Sequence, residues 1–227
     1  MHNDALKPNA TASRLKRLVG TLLPASVVEH LRELRELSGP ERRAHLRNTL
    51  RRVAGRKPAV PKTLRPSDTV VFVCHGNIIR SALAAGLMQR HAAELGLPVD
   101  GVISAGVAAR PGREADPRAV AAGHALGVDL RTHRAQPLTN EILDAAAVVY
   151  VMDRLNEAKL LARFPSAHTK LCRLGALAEA EGDDVIADPY VLDAAAVAAV
   201  ASRIDRATRA LALELARRSG TTAGSAR

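Results

Sequence analysis

Residues 71–81 read VFVCHGNIIRS, and this stretch determines the fold that we expect for most of the chain. Its first part belongs to an apolar, β-branched run from Thr69 to Val73, which is typical of a short buried strand in a parallel sheet. From Arg80 onward the apolar residues recur at helical spacing. The segment from Cys74 to Arg80 is therefore predicted to be a tight loop between a strand end and a helix N-terminus.

The predicted loop has the chemistry of a phosphate site. Backbone N–H groups and the dipole at a helix N-terminus attract anions, and Arg80 can donate two parallel hydrogen bonds to phosphate oxygens. The same positive field favours the thiolate form of Cys74, which would make it a nucleophile. Ser81 can donate to the sulfur, Asn77 tolerates a left-handed turn, and Gly76 is expected where a Cβ would obstruct the backbone. A buried structural cysteine is the alternative for these residues alone.

Strands and helices alternate after Thr69, which favours a parallel sheet with helices on both faces and a ligand site at the carboxyl ends of the strands. Asp116, Asp153 and Asp193 are each expected to cap a helix. The predicted strands are residues 69–74, 101–105, 147–151 and 170–174.

VCHGNIIRS, residues 73–81, resembles the signature of the low-molecular-weight protein tyrosine phosphatases. The resemblance covers about residues 67 to 218, and the short loop after Gly106 is most similar to the bacterial branch associated with exopolysaccharide tyrosine kinases. It implies an α/β fold with a four-stranded parallel sheet of order 2-1-3-4. The further matching segments, in chain order, are residues 103–106, 115–119, 133–135, 152–153 and 188–190.

The resemblance implies a complete catalytic set. Cys74 would attack phosphorus, Arg80 would stabilise the phosphoryl oxygens, and Asp188 would protonate the leaving phenolate and later act as a base toward water. Asp188 precedes Pro189 as the family's acid does, although Asp-Pro is also a common turn dipeptide. Tyr190 is expected at the substrate entrance. No metal and no cofactor is implied.

The remaining predicted site residues lie in the loop or support it. Ser104 is expected to bind Asn77, whereas His133 and Cys172 are expected to pack in the interior. Ile79 stands where some relatives have a second cysteine, and residues 107–110 lack an aromatic wall. The loop and supporting residues are His75, Gly76, Asn77, Ile78, Ile79, Ser81 and Ser104.

Residues 1–66 carry the whole net charge of +10, and residues 67–227 are balanced. We predict a basic helical extension and linker over 1–66, a phosphatase-like domain over 67–218 and a disordered tail over 219–227. The extension could dock to an acidic partner or an anionic membrane surface, or simply pack on the domain. Nucleic acid is not expected, because no aromatic residue precedes Phe72. On this division, turnover of a small aryl phosphate does not need the extension.

The expected substrate is a phosphotyrosine protein, with a bacterial tyrosine kinase as the natural partner. Two alternatives remain. One is an arsenate reductase, which would need further thiols to shuttle electrons, although only Cys172 remains besides Cys74. The other is a non-catalytic phosphotyrosine-binding adaptor. No apolar stretch is long enough to span a membrane, and a working thiolate suits a reducing cytoplasm.

Overall fold

The computed structural model describes residues 34–54, 59–98, 101–178 and 184–220. The chain divides into a unit of residues 1–38 and a unit of residues 39–227, and the following description concerns the second. The predictions made for residues 1–33, and for the tail beyond residue 220, lie outside the described residues.

A parallel sheet of four strands has the order β2-β1-β3-β4, as predicted. The strands are β1 (Val70–Cys74), β2 (Val102–Gly106), β3 (Val148–Val151) and β4 (Leu171–Arg173). Val70 pairs with Val102 on one side and with Val148 on the other, so β1 is an inner strand. The apolar run that marks β1 in the sequence is thus buried on both faces, and its carboxyl end carries Cys74.

Helices cover both faces of the sheet. Alternate residues of β1 point to two separate cores: Phe72 packs with Leu83 and Leu211 on one face, and Val71 packs with Leu160 on the other. No helix within the described ranges is long and apolar enough to cross a bilayer. The helices are α1 (Gly39–Ala54), α2 (Arg80–Glu94), α3 (Pro117–Ala125), α4 (Asn140–Ala145), α5 (Arg154–Arg163) and α6 (Ala194–Arg218), with 3-10 turns at Pro165–Thr169 and Leu174–Leu177.

The described part of the predicted extension and linker packs against the sheet domain. Ala44 of α1 belongs to the core on the α5 face, and Leu64 is only 3% exposed in the opposite core. The hydroxyl of Tyr150 donates to the carbonyl of Ala59 at 2.9 Å. Residues 39–54 and 59–66 are therefore in direct contact with the sheet domain.

Asp116 begins α3 as the sequence predicts, and its replacement should weaken the fold in a pH-dependent way. Its carboxylate accepts from the backbone N–H of Arg118 at 3.0 Å, and the hydrogen bond from the Arg118 side chain holds the pKa of Asp116 below its usual value. Asp116→Ala should lower the free energy of unfolding by about 1 kcal/mol at neutral pH. A carboxyl whose pKa is lowered by folding stabilises the fold at pH values above its pKa in the unfolded chain, and this stabilisation is lost as the pH falls. The difference in unfolding free energy between the two proteins should therefore shrink below about pH 4. Urea unfolding of both proteins between neutral and acidic pH measures this difference in unfolding free energy. A difference that stayed constant with pH would contradict a cap by the ionised carboxylate.

Candidate active site

The loop between β1 and α2 surrounds the sulfur of Cys74. The backbone N–H of Asn77 points at this sulfur from 3.3 Å, and the Ser81 hydroxyl lies 3.0 Å from it. The loop borders a cavity of about 540 Å³ that Cys74 itself helps to line. The thiol, although only 3% exposed, is therefore accessible from a space that can hold an anion, beside donors that stabilise a thiolate.

Asn77 holds the loop in shape from behind. It adopts a left-handed conformation with φ 55°, as expected. Its side-chain amide donates to the hydroxyls of Ser81 and Ser104, both at 2.9 Å. Its side-chain oxygen accepts from the backbone N–H of Gln136 at 2.9 Å, and its carbonyl lies 2.7 Å from Nε2 of His133. Ser104 contacts Asn77 as expected. No signal in the sequence indicated Gln136, and His133 was expected only to pack in the interior.

The glycine that the loop needs is Gly106, not Gly76. A Cβ added at Gly76 would meet only the Ile78 side chain at an ordinary 3.6 Å, so the predicted steric reason for this glycine is wrong. A Cβ at Gly106 would lie 2.7 Å from the carbonyl oxygen of His75 and 3.0 Å from the nitrogen of Asn77. The end of β2 thus approaches the loop so closely that only a residue without a side chain fits there.

Arg80 is the largest charged group buried at the site, with 1% of its surface exposed. Its Nη1 donates to Asp153 Oδ2 at 2.5 Å and to the carbonyl of Ile186 at 3.0 Å. Its Nη2 donates to Asp188 Oδ2 at 2.5 Å. Burial opposes the charge on this guanidinium, but Asp153 and Cys74 outweigh that effect and raise the pKa of Arg80, and Asp188 adds to it. A buried guanidinium needs such partners, and here they also fix the orientation of the guanidinium group.

The two carboxylates that hold Arg80 differ in exposure. The Asp153 side chain is 10% exposed and also caps α5 through the N–H of Asn156 at 2.6 Å. The Asp188 side chain is 44% exposed and lines the cavity. Asp188 can therefore exchange a proton with a bound ligand, whereas Asp153 fixes the guanidinium. Sequence analysis predicted the cap but not the ion pair between Asp153 and Arg80.

The entrance is lined by aromatic and basic side chains. Tyr190 stands on one side, 49% exposed, and the Arg113 guanidinium lies 5.9 Å from the centre of its ring. Arg110 also lines the entrance. Inside the loop, burial lowers the pKa of His75 and the charge of Lys159 adds to this effect, so its ring is neutral at pH 7. No signal in the sequence pointed to Arg113, because the contact depends on how segment 107–113 faces Tyr190.

The structure brings Cys74, Arg80, Asp188 and Tyr190 to one cavity, although 116 positions separate the first from the last. Ile78 and Ile79 line it as well. Cys172 lies on β4, buried, with β3 between its strand and that of Cys74. Among the described residues, no group of three His, Cys, Asp or Glu side chains is arranged to hold a metal ion.

The chain is similar to a known family and to several known proteins. Residues 69–220 match the model of the family described as low molecular weight phosphotyrosine protein phosphatase. A probable low molecular weight protein-tyrosine-phosphatase, EpsP of Ralstonia nicotianae, is 38% identical over 122 residues, which are 54% of this chain and 78% of the relative. A protein-arginine-phosphatase of Bacillus subtilis is 34% identical over 121 residues, 53% of this chain and 79% of the relative.

Solved structures share the fold. The tyrosine phosphatase Wzb from Escherichia coli K30, in complex with sulphate, superposes with a TM-score of 0.59 and 26% sequence identity. The superposition covers 65% of this chain and 98% of Wzb. Both α1 and the rest of the N-terminal 68 residues precede the segment that the family model matches.

Proposed function

Because the chain belongs to the low molecular weight phosphotyrosine protein phosphatase family, we propose that it hydrolyses phosphotyrosine in proteins through a cysteinyl-phosphate intermediate. The observation that carries the proposal is the meeting of a thiol, a guanidinium and an exposed carboxyl at one cavity: Cys74, Arg80 and Asp188. Each group supplies one requirement of phosphoryl transfer, namely the nucleophile, the stabilisation of charge on phosphoryl oxygens, and the proton for the leaving group.

In the first step, the Cys74 thiolate forms a bond to phosphorus while the bond from phosphorus to the tyrosyl oxygen breaks. Asp188 transfers its proton to that oxygen, so tyrosine leaves as a neutral phenol. Arg80 and the inward-facing N–H groups of the loop stabilise the charge on the phosphoryl oxygens.

In the second step, water attacks the phosphorus of the cysteinyl-phosphate, and Asp188, now a carboxylate, takes a proton from the water. The bond from sulfur to phosphorus breaks, and inorganic phosphate and the Cys74 thiolate are released. The Ser81 hydroxyl, 3.0 Å from the sulfur, stabilises the thiolate as it leaves. Atoms and charges balance without any group beyond water and the residues of the site.

The lining of the cavity favours a phenol over a guanidine as the leaving group. In the described part of the chain, Asp188 is the one acidic residue that lines it, and Arg110 and Arg113 stand at the entrance. A phosphoarginine side chain would place a positive guanidinium beside these arginines, whereas the ring of phosphotyrosine can pack against Tyr190 and the apolar wall of Ile78.

The test compares two peptides of the same sequence, one with phosphotyrosine and one with phosphoarginine at the same position. We expect kcat/KM to be at least about tenfold higher for the phosphotyrosyl peptide. An Arg113→Ala variant should lower this preference, because it removes one of the charges that repel a guanidinium. Equal or reversed kcat/KM values for the unaltered protein would overturn the proposed substrate class.

The other functions that the sequence left open are less well supported. Arsenate reduction would need a second thiol near Cys74, but Cys172 lies buried two strands away. A pure binding role would not need Asp188 as a proton donor. We further propose a tyrosine kinase as the substrate protein, because the chain is similar to EpsP and resembles the branch associated with exopolysaccharide tyrosine kinases. We propose the cytoplasm as the compartment, since the nucleophile is a free thiol. The predicted docking role of residues 1–66 finds no support in the comparisons.

A further inference from the structure

Helix α1 has no part in the mechanism above and lies outside the segment that the family model matches. It packs on α5, with Ala44 buried in the core on that face. A partly buried polar contact lies at this interface, where the side-chain amide of Asn48 donates to Oε1 of Glu157 at 2.6 Å. This contact is the beginning of a chain of hydrogen bonds that ends at Asp184, four positions before Asp188.

Glu157 connects Asn48 to Arg173. The Glu157 side chain is 4% exposed and its Oε2 accepts from both Nε and Nη2 of Arg173, at 2.9 Å and 2.6 Å. Nη1 of Arg173 in turn donates to both carboxylate oxygens of Asp184, at 2.7 Å and 2.8 Å. Burial opposes the charge on Arg173, but Glu157 and Asp184 outweigh it and raise the pKa of the guanidinium. The three charged groups thus form a directional network in which Glu157 and Arg173 are buried and the Asp184 side chain is 29% exposed.

Asp184 is four positions before Asp188, the proposed general acid. A Cβ placed at Gly175 would lie 2.4 Å from the carbonyl oxygen of Asp184, so the backbone of Asp184 lies directly against the backbone of Gly175. Further along the segment, the N–H of Ile186 donates to the carbonyl of Met152 at 2.7 Å. The segment is therefore held by the network at Asp184 and, at Ile186, by the residue that follows β3. Both anchors contribute to the position of Asp188, together with its direct hydrogen bond from Arg80.

We propose that Asn48 is a positioning residue for Asp188, so that α1 is a functional part of the active site in this chain. The path runs from Asn48 through Glu157 and Arg173 to Asp184. The inference rests on the proposed role of Asp188 as general acid. It differs from the division drawn from the sequence, in which residues 1–66 are not needed for turnover of a small substrate.

Removal of the Asn48 amide takes a hydrogen bond from a nearly buried carboxylate. Glu157 then has to adjust toward other donors, and Arg173, which it holds through two nitrogens, moves with it. Asp184 follows Arg173, and the carboxyl of Asp188 is displaced from the leaving oxygen. Proton transfer depends steeply on such distances, whereas attack by Cys74 on phosphorus does not use this path.

The experiment measures kcat/KM of the full-length protein for two small substrates that differ in their need for an acid. Phenyl phosphate releases a basic phenolate and needs the proton, whereas para-nitrophenyl phosphate releases a stable phenolate and needs it far less. Asn48→Leu should lower kcat/KM for phenyl phosphate by about three- to tenfold and leave the value for para-nitrophenyl phosphate within about twofold. The exposed Leu46 on the same helix gives a matched control, because Leu46→Gln should change neither value.

Three results would overturn the inference: equal losses on both substrates, no loss on either, or the same loss in Leu46→Gln. A second variant, Asn48→Asp, places a carboxylate beside Glu157 and should produce the same selective loss by repulsion. Thermal unfolding of each variant shows that the loss is measured on folded protein.

A double-mutant cycle separates this inference from the proposed function. In an Asp188→Asn background, Asn48→Leu should cause no further selective loss on phenyl phosphate, because both substitutions act on one proton transfer. Additive losses would mean that α1 acts elsewhere and would overturn the positioning role. If Asp188→Asn itself showed no selective loss, the assignment of the acid would be wrong, and the proposed function would fail before the question of α1 arises.

Discussion

A Cys74→Ser variant is expected to lose turnover of para-nitrophenyl phosphate by about four orders of magnitude or more while still binding phosphate. The Cys74 sulfur lies within reach of the Asn77 N–H and the Ser81 hydroxyl, and these donors stabilise a thiolate. A serine hydroxyl ionises far less readily than a thiol, so the same donors cannot supply a serine alkoxide at neutral pH. The loop, Arg80 and the cavity are unchanged, so inorganic phosphate should still inhibit or bind.

The control is the other cysteine. Cys172→Ser makes the same chemical change on β4, away from the cavity, and should retain turnover per folded molecule. Steady-state rates for the three proteins, together with phosphate binding by calorimetry, provide the comparison. Comparable turnover in Cys74→Ser and the unaltered protein would exclude a cysteinyl-phosphate intermediate at this position.

Asp188→Asn is expected to lower kcat/KM for phenyl phosphate by about 10²- to 10³-fold and to lower it much less for para-nitrophenyl phosphate. The amide has the shape of the carboxyl, and its single oxygen can still accept from Arg80 or from the N–H of Tyr190, which bind different oxygens of Asp188 in the unaltered protein. It has no proton to give to a basic leaving group, so the loss falls on the substrate that needs one.

Asp129→Asn is the matched control for Asp188→Asn, because it makes the same substitution at an exposed residue paired with Arg131 outside the cavity. It should leave the ratio of the two kcat/KM values unchanged. Rates for a series of aryl phosphates show the effect as a steeper dependence on the basicity of the leaving group. A slope equal to that of the unaltered protein would mean that another group donates the proton.

The central part of the site could be predicted because it is local in the sequence. Cys74, Asn77, Arg80 and Ser81 lie within eight consecutive residues that form a strand end, a turn and the start of a helix. Local propensity and the apolar pattern are therefore enough to predict their relative positions. The left-handed conformation of Asn77 follows from its residue type. The order of the strands came from the resemblance to a family rather than from any local pattern.

The partners of Arg80 could not be predicted in the same way. A buried guanidinium needs a carboxylate, but the sequence offers many, and Asp153 carried only the signal of a helix cap. The structure also pairs Asp184 with Arg173 through both carboxylate oxygens, a contact that no local pattern indicated. The contact between Asn48 and Glu157 spans 109 positions and had no sequence signal.

The sequence by itself determined the nucleophile, the loop and the alternating strands and helices, because these depend on residue type and on neighbours along the chain. The tertiary structure alone decided which carboxylates hold Arg80, which glycine allows β2 to approach the loop, and that α1 lies at the end of a network leading to Asp184. These features depend on how distant segments meet around the sheet. That meeting is set by the summed packing of both cores, which no single stretch of sequence contains.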